Sequence, residues 1–119
     1  MELVVQQRQD DITHVVLRGR LDAVGLREVD VRFHGETAGR GRPTVVDMTG
    51  VEFIGSLGIG MLIGCAKSLH RKGAKMALVS PAGPVALAMR KVGVHEVIPM
   101  VARVEAAVDA VRRTGRMSA

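Results

Sequence analysis

The sequence predicts an α/β domain whose mixed sheet has about four to five strands, accompanied by about four helices. Apolar, β-branched residues on either side of the turn pair Asp10-Asp11 indicate an amino-terminal hairpin, so the first strand is antiparallel to the second. After the hairpin, segments with helical spacing alternate with short apolar strands, which is typical of mainly parallel strands joined by helices. The 119 residues fit a single domain, which we place at 1–113 with a flexible tail at 114–119.

The first half of the chain is predicted to form two strands and a helix. The first strand begins at Leu3 and the second spans residues 12–21, where His14 is expected to be exposed. Asp22 follows directly, and its carboxylate can cap the amide groups at the start of the helix. The apolar face of that helix is formed by Leu26, Val29 and Phe33.

The central unit consists of a strand, a turn and a glycine-rich helix. Residues 44–48 are mostly apolar and lie between Pro43 and Gly50, which predicts a buried strand. The helix is predicted to begin with Ser56 as its N-cap and to end at Gly73 as its C′ residue. Sites in open α/β folds usually lie at the carboxyl ends of strands, so we expect a functional site around Ser56.

The second half repeats the strand and helix pattern twice. Residues 75–79 predict a strand, and residues 84–93 predict a helix opened by Pro84 and closed by a glycine. Residues 94–98 predict a short edge strand that ends at Pro99. The last helix has apolar residues every three to four positions, at Val101, Val104, Val108 and Val111.

Three glycines occupy the first turns of the central helix. Gly58, Gly60 and Gly64 each cost the helix about 1 kcal/mol relative to alanine. Close packing of the helix on the sheet, or close approach of a partner, would explain their presence. They do not form a P-loop, because the Gly-Lys-Ser/Thr that holds phosphates and magnesium is absent.

The charge and composition argue against several classes of partner. The chain carries a net charge of +5, but its basic residues are scattered and its only aromatic residues are two phenylalanines. It therefore lacks the stacking platform of a nucleic-acid binder, and we predict no direct nucleic-acid contact. No apolar segment is long enough for membrane insertion and no signal peptide is recognisable, so we predict a cytoplasmic protein.

The chemistry-bearing residues do not suggest an enzyme. The single cysteine, Cys65, lies on the apolar face of the central helix and is expected to be a small buried hydrophobe. The four histidines are scattered over separate elements, and no serine has a base placed beside it by the sequence. Asp47 is expected to bind the amide groups of the central turn. We therefore predict no catalytic residues, no metal and no cofactor.

Four motifs follow one another in the chain: Gly19-Arg20-Leu21-Asp22, residues 45–51 (Val-Val-Asp-Met-Thr-Gly-Val), residues 53–60 (Phe-Ile-Gly-Ser-Leu-Gly-Ile-Gly) and Lys72-Gly73. In this order they resemble the STAS domain in its small stand-alone form, the bacterial anti-sigma factor antagonist. The resemblance implies a STAS-like sheet and a binding switch. Such proteins, when unphosphorylated, bind an anti-sigma factor that is also an ATP-dependent serine kinase, and so release a sigma factor. Phosphorylation by that kinase ends the interaction.

The central turn departs from the usual pattern of the family, which is Asp-Ser-Ser-Gly or Asp-Ser-Thr-Gly. Gly55 replaces the aspartate, and Leu57 occupies the second hydroxyl position, where the phosphate acceptor commonly lies. Ser56 is therefore the one candidate phosphorylation site in the turn. Three interpretations remain: Ser56 is phosphorylated, the protein binds its partner constitutively, or Ser56 is only an N-cap.

The resemblance also implies a set of partner-binding residues around the turn. They are Asp22, Ile54, Gly55, Ser56, Leu57, Gly58 and Ile59. An exposed edge strand, or the cluster formed by Ile54, Leu57 and Ile59, could instead support a homodimer. The alternative function is that of a STAS subunit in a transporter or a stressosome-like scaffold, acting through constitutive protein binding.

Overall fold

The computed structural model describes residues 1–112, and its elements alternate as the sequence predicts. The strands are β1 (Glu2–Gln6), β2 (Thr13–Leu21), β3 (Thr44–Ile54), β4 (Met76–Val79) and β5 (Met100–Val101). The helices are α1 (Ala23–Glu36), α2 (Ser56–Arg71), α3 (Gly83–Lys91) and α4 (Val104–Arg112), with a short 3₁₀ helix at Val94–Glu96. The predicted tail at 114–119 lies outside the described residues.

The five strands form one mixed sheet in the order β1-β2-β3-β4-β5. β1 pairs with β2 in antiparallel fashion, and the other neighbouring pairs are parallel. The predicted fold class is therefore confirmed. Among residues 1–112, no helix combines the length and the apolar character that crossing a membrane requires.

Each face of the sheet has its own apolar layer, because successive side chains on a strand point to opposite faces. Val46 belongs to the larger layer, together with residues of α1, α2 and α3 such as Phe33 and Leu62. Val45, its neighbour in β3, belongs to the smaller layer, together with Ala107 and Val111 of α4. Helices thus pack on both faces of the sheet.

Two strand predictions were wrong in their bounds. β3 continues past Gly50 to Ile54, because its second half pairs with β2 as far as Leu21.

Residues 94–98 do not form a strand: they begin with the 3₁₀ helix, and the amide of Ile98 donates to the carbonyl of Val94. Both of these side chains are fully buried, which a helical turn achieves at a spacing of four residues. The edge strand β5 begins only after Pro99.

His14 is buried, whereas an exposed residue was predicted. Only 9% of its surface is accessible, because β2 lies inside the sheet and His14 is flanked there by Gln6 of β1 and Val45 of β3. Its Nε2 atom has no hydrogen-bond partner among the described residues. Burial lowers the pKa of this imidazole below its usual value near 6.5, since the charged form would lose its hydration.

The three glycines of α2 differ in their surroundings. A β-carbon on Gly58 would lie 2.7 Å from Cγ of Leu21, so the helix packs on the end of β2 at a distance that only glycine permits. Nothing lies within 4 Å of the corresponding position at Gly60 or Gly64. Close packing therefore explains Gly58 and leaves the other two without a role inside the fold.

This difference predicts opposite effects of alanine at two glycines of one helix. We expect Gly58→Ala to lower the free energy of unfolding by about 1–3 kcal/mol, because the added carbon overpacks the contact with Leu21. We expect Gly64→Ala to raise it by about 0.5–1 kcal/mol, because alanine is the better helix former and the site is open. Urea unfolding followed by circular dichroism measures both. Equal effects of the two substitutions would contradict the packing argument.

The burial of His14 predicts that stability falls as the pH falls below about 6.5. The unfolded chain takes up a proton on His14 near the usual pKa, whereas the folded protein does so only at lower pH, so protonation favours unfolding. We expect His14→Leu to lose less unfolding free energy than the wild type between pH 8 and pH 5.5. Urea titrations of both proteins at the two pH values test this, and an equal loss would assign the acid sensitivity to other groups.

Candidate functional site

The carboxyl ends of β2 and β3 lie side by side, and a helix begins directly after each. Leu21 pairs with Ile54 at these strand ends, and the amide of Gly55 donates to the carbonyl of Leu21 at 3.1 Å. The first turns of α1 and α2 are therefore neighbours at one edge of the sheet.

Asp22 caps α1, as predicted from the sequence. Its Oδ1 accepts from the amide of Gly25 at 2.9 Å, and this hydrogen bond lowers the pKa of the carboxyl group. Gly25 itself is required, because a β-carbon there would lie 1.9 Å from the carbonyl oxygen of Arg20. The second carboxylate oxygen of Asp22 forms an ion pair with Nε of Arg20 at 3.6 Å, and both side chains remain partly exposed.

Arg20 and Phe53 also belong to this edge, although neither was among the predicted site residues. They face each other across the pairing of β2 with β3, and the guanidinium carbon lies 4.6 Å from the centre of the phenyl ring. Such a cation–π contact contributes about 0.5–1 kcal/mol at exposed sites. Strand alternation is the sequence signal that could have identified these two residues. Each directly precedes a buried residue, Leu21 or Ile54, so its side chain points to the opposite face of the sheet from that buried residue.

Ser56 is the first residue of α2 and not its N-cap, so the predicted capping role is wrong. The N-cap is Gly55, whose backbone is extended, and its carbonyl accepts from the amide of Ile59 at 3.0 Å. No side-chain hydrogen bond caps this helix, and the Ser56 hydroxyl has no hydrogen-bond partner in the part of the chain that the structure describes. The exposed hydroxyl is therefore free, and the first turn of α2 carries no acidic side chain.

The remaining predicted partner-binding residues divide between surface and interior. Leu57 follows Ser56 and is 61% exposed, which is unusual for a leucine on an otherwise well-packed helix. Gly55 is half-buried, and Ile59 is half-buried against the larger apolar layer. Ile54 and Gly58 are buried, so they shape the edge from beneath. Another exposed apolar side chain, Val24, lies on the first turn of α1.

Asp47 lies within β3 and Cys65 within α2, so neither belongs to the first turns of the two helices. Oδ1 of Asp47 accepts from the amide and the hydroxyl of Thr49, at 2.9 and 2.6 Å. This role is structural, but Thr49 lies within β3 and not in the turn where the bonds were predicted. Cys65 lies 3.3 Å from Nδ1 of His34, whose Nε2 is 3.2 Å from Asp30. A thiol followed by an imidazole and a carboxylate is an arrangement that can activate the thiol as a nucleophile. Here, however, the thiol is fully buried, and burial raises its pKa. Within residues 1–112, no group of three potential ligands is placed to hold a metal ion.

Solved structures of known proteins share this architecture at low sequence identity. A candidate anti-sigma factor antagonist from Thermotoga maritima superposes with a TM-score of 0.83 at 20% identity, covering 93% of this chain and 95% of that one. An anti-sigma factor antagonist from Mycobacterium paratuberculosis gives a TM-score of 0.79 at 23% identity, covering 93% and 95%.

A third similar protein, the anti-sigma factor antagonist SpoIIAA, has been solved in two states. Its unphosphorylated form gives a TM-score of 0.76 at 19% identity, covering 93% of this chain and 96% of that one. The phosphorylated form, from Bacillus, gives 0.68 at 17% identity, covering 92% and 98%. At these identities the similarity establishes the fold.

The sequence comparisons identify the family. A search of curated protein sequences found no match. The family model of the STAS domain matches residues 4–107, which begin within β1 and end within α4. The chain therefore belongs to the STAS-domain family.

Proposed function

We propose that this protein is an anti-sigma factor antagonist that binds its anti-sigma factor through the edge formed by Arg20, Asp22, Phe53, Ser56 and Leu57, called here the helix-start edge. The observation that carries the proposal is the free hydroxyl of Ser56 beside the exposed side chain of Leu57, on the first turn of α2. The family and the similar antagonists support the same function.

The helix-start edge has the composition of a small protein-binding surface. Leu57 and Phe53 each supply exposed apolar area, and Arg20 and Asp22 supply exposed charges. Full burial of an exposed leucine contributes about 1.5–3 kcal/mol, so Leu57 alone can decide whether a complex forms. The open position at Gly60, one turn further along α2, lets a partner approach the helix backbone closely.

Phosphorylation of Ser56 would act as a local switch at this edge. A phosphate adds about −1.5 to −2 charges, and the start of a helix favours an anion through its free amide groups and its dipole. The fold therefore tolerates the phosphate. A partner packed on Leu57 would have to remove water from that charge, so the complex dissociates without unfolding either protein.

The kinase reaction is tested with candidate anti-sigma factors from the same genome and ATP. We expect one phosphate on the wild type by intact-mass spectrometry, none on Ser56→Ala, and loss of the complex on gel filtration after modification. Leu57→Ser restores a hydroxyl at the usual family position and tests whether the kinase also modifies that position, at a kinase concentration high enough to offset the weaker binding.

Each outcome of this experiment has a separate meaning. A phosphate that persists in Ser56→Ala would contradict Ser56 as the acceptor. Stable binding without any phosphate would overturn the switch and leave a constitutive antagonist. If no anti-sigma factor binds, co-purification of transporter or scaffold subunits would establish the alternative function.

The role of Leu57 in binding predicts a difference between two exposed leucines. We expect Leu57→Asp to weaken the complex at least about tenfold, which corresponds to about 1.4 kcal/mol, because a charge replaces an apolar side chain that the partner would cover. Leu87 on α3 is 56% exposed and serves as the control, since Leu87→Asp makes the same change away from the edge. Isothermal titration calorimetry with the anti-sigma factor compares them, and equal weakening by both variants would contradict the proposed surface.

A further inference from the structure

The opposite end of α2 borders a groove that the proposed function does not use. The groove lies between the last two turns of α2 and the segment that joins the 3₁₀ helix to β5, and its volume is about 590 Å³. Cavities of roughly 300–1,000 Å³ are typical of small-molecule sites. Ala66, where the groove begins on α2, follows Ser56 by ten residues, which places it roughly 15 Å along the helix from the helix-start edge.

The inner surface of the groove is apolar. Its floor is formed by Ala74 and Met76, which belong to the larger apolar layer of the fold. Ala66 lines one wall, and Val97 and Pro99 line the other. Val97 is 52% exposed, so apolar surface remains in contact with water here that a ligand could cover.

The rim of the groove is basic. Its charged or ionisable nitrogen groups belong to Lys67, His70, Arg71, Lys75 and His95. In the region that the structure describes, none of these five groups lies within 4 Å of a carboxylate, and Arg71 donates only to the hydroxyl of Ser68.

One acidic side chain, Glu96, also lines the groove, and three permanent cations outnumber it. Its carboxylate is turned back along its own helical turn, since a β-carbon on Gly93 would lie 3.6 Å from Oε1. The cations of the rim repel one another, and this repulsion is relieved when an anion binds between them. A second copy of the chain would bring the same basic rim and a net charge of +5, so it is a poor occupant.

We propose that the groove binds a small organic anion with an apolar body, such as an acyl or aryl carboxylate or phosphate. The apolar body covers Ala74, Met76 and Val97, and the acid group faces Lys67 and Lys75. The size of the groove, its apolar floor and its unpaired cations together carry the proposal.

Decanoate is a suitable probe because it combines a ten-carbon chain with one carboxylate. Titration of the ¹⁵N-labelled protein, followed by NMR, should shift the amide resonances of the groove and leave those of the helix-start edge unchanged. We expect decanol, which lacks the charge, to bind about fivefold more weakly or worse, and acetate, which lacks the chain, not to bind. Decyl phosphate shows whether the acid group must be a carboxylate.

Two pairs of variants separate a specific site from general attraction. We expect the double variant Lys67→Gln/Lys75→Gln to reduce decanoate affinity about fivefold or more, whereas Arg27→Gln, which removes an exposed charge on α1, has no effect. Val97→Glu should abolish binding, because it places a charged carboxylate in the apolar surface that the body of the ligand covers. Val92→Glu is its matched control, because Val92 is 62% exposed and does not line the groove.

Three results would overturn the proposal. Equal binding of decanol and decanoate would show that the basic rim plays no part. Retained affinity in Val97→Glu would place the ligand elsewhere. If an acidic peptide shifts the groove resonances while decanoate and decyl phosphate do not, the groove is a protein-docking surface. None of these results depends on whether an anti-sigma factor binds the other end of α2.

Discussion

The contact between Gly58 of α2 and Leu21 at the end of β2 is the constraint on which the rest of the site depends. A β-carbon at residue 58 would meet both the side chain and the carbonyl oxygen of Leu21, so the helix can approach the strand this closely only with glycine there. The carbonyl of Leu21 also accepts from the amide of Gly55, which fixes the residue before the helix. The direction of α2, and with it the exposure of Ser56 and Leu57, follows from these two contacts.

The same helix presents different chemistry at its two ends. At its start, the free amide groups and the absence of acidic side chains leave room for an anion, which a phosphate on Ser56 would supply. At its end, His70 and Arg71 lie near the negative pole of the helix dipole, where cations are favourable. That arrangement stabilises the helix, but Lys67 and Lys75 add further positive charge beside an apolar groove. Helix stability alone does not account for those two residues.

Several features of the fold could be predicted from sequence because their causes are local. Asp22 was correctly predicted as a cap, because its carboxylate bonds an amide only three residues away. Gly73 and Gly93 were correctly predicted as helix ends, because glycine readily adopts the positive φ that ends a helix.

His14 was wrongly predicted as exposed because its burial comes from the strands on either side of β2. Ser56 was wrongly predicted as a cap because the extended backbone of Gly55 already performs that function. Strand alternation assigns Arg20 and Phe53 to one face of the sheet, but their contact depends on the register of two strands far apart in the chain.

The departure of the central turn from the family pattern is not imposed by the backbone. Gly55 has φ near −101° and a nearly extended ψ, a conformation open to any residue, and a β-carbon there would make ordinary contacts with the Phe53 ring. An aspartate would therefore fit at residue 55. A hydroxyl at residue 57 would also fit, because Leu57 is exposed. The fold thus accepts the usual turn, and what the leucine adds is apolar surface at the first turn of α2. Exposed apolar surface gives the isolated domain no stability, so this leucine suits the partner-binding surface that we propose.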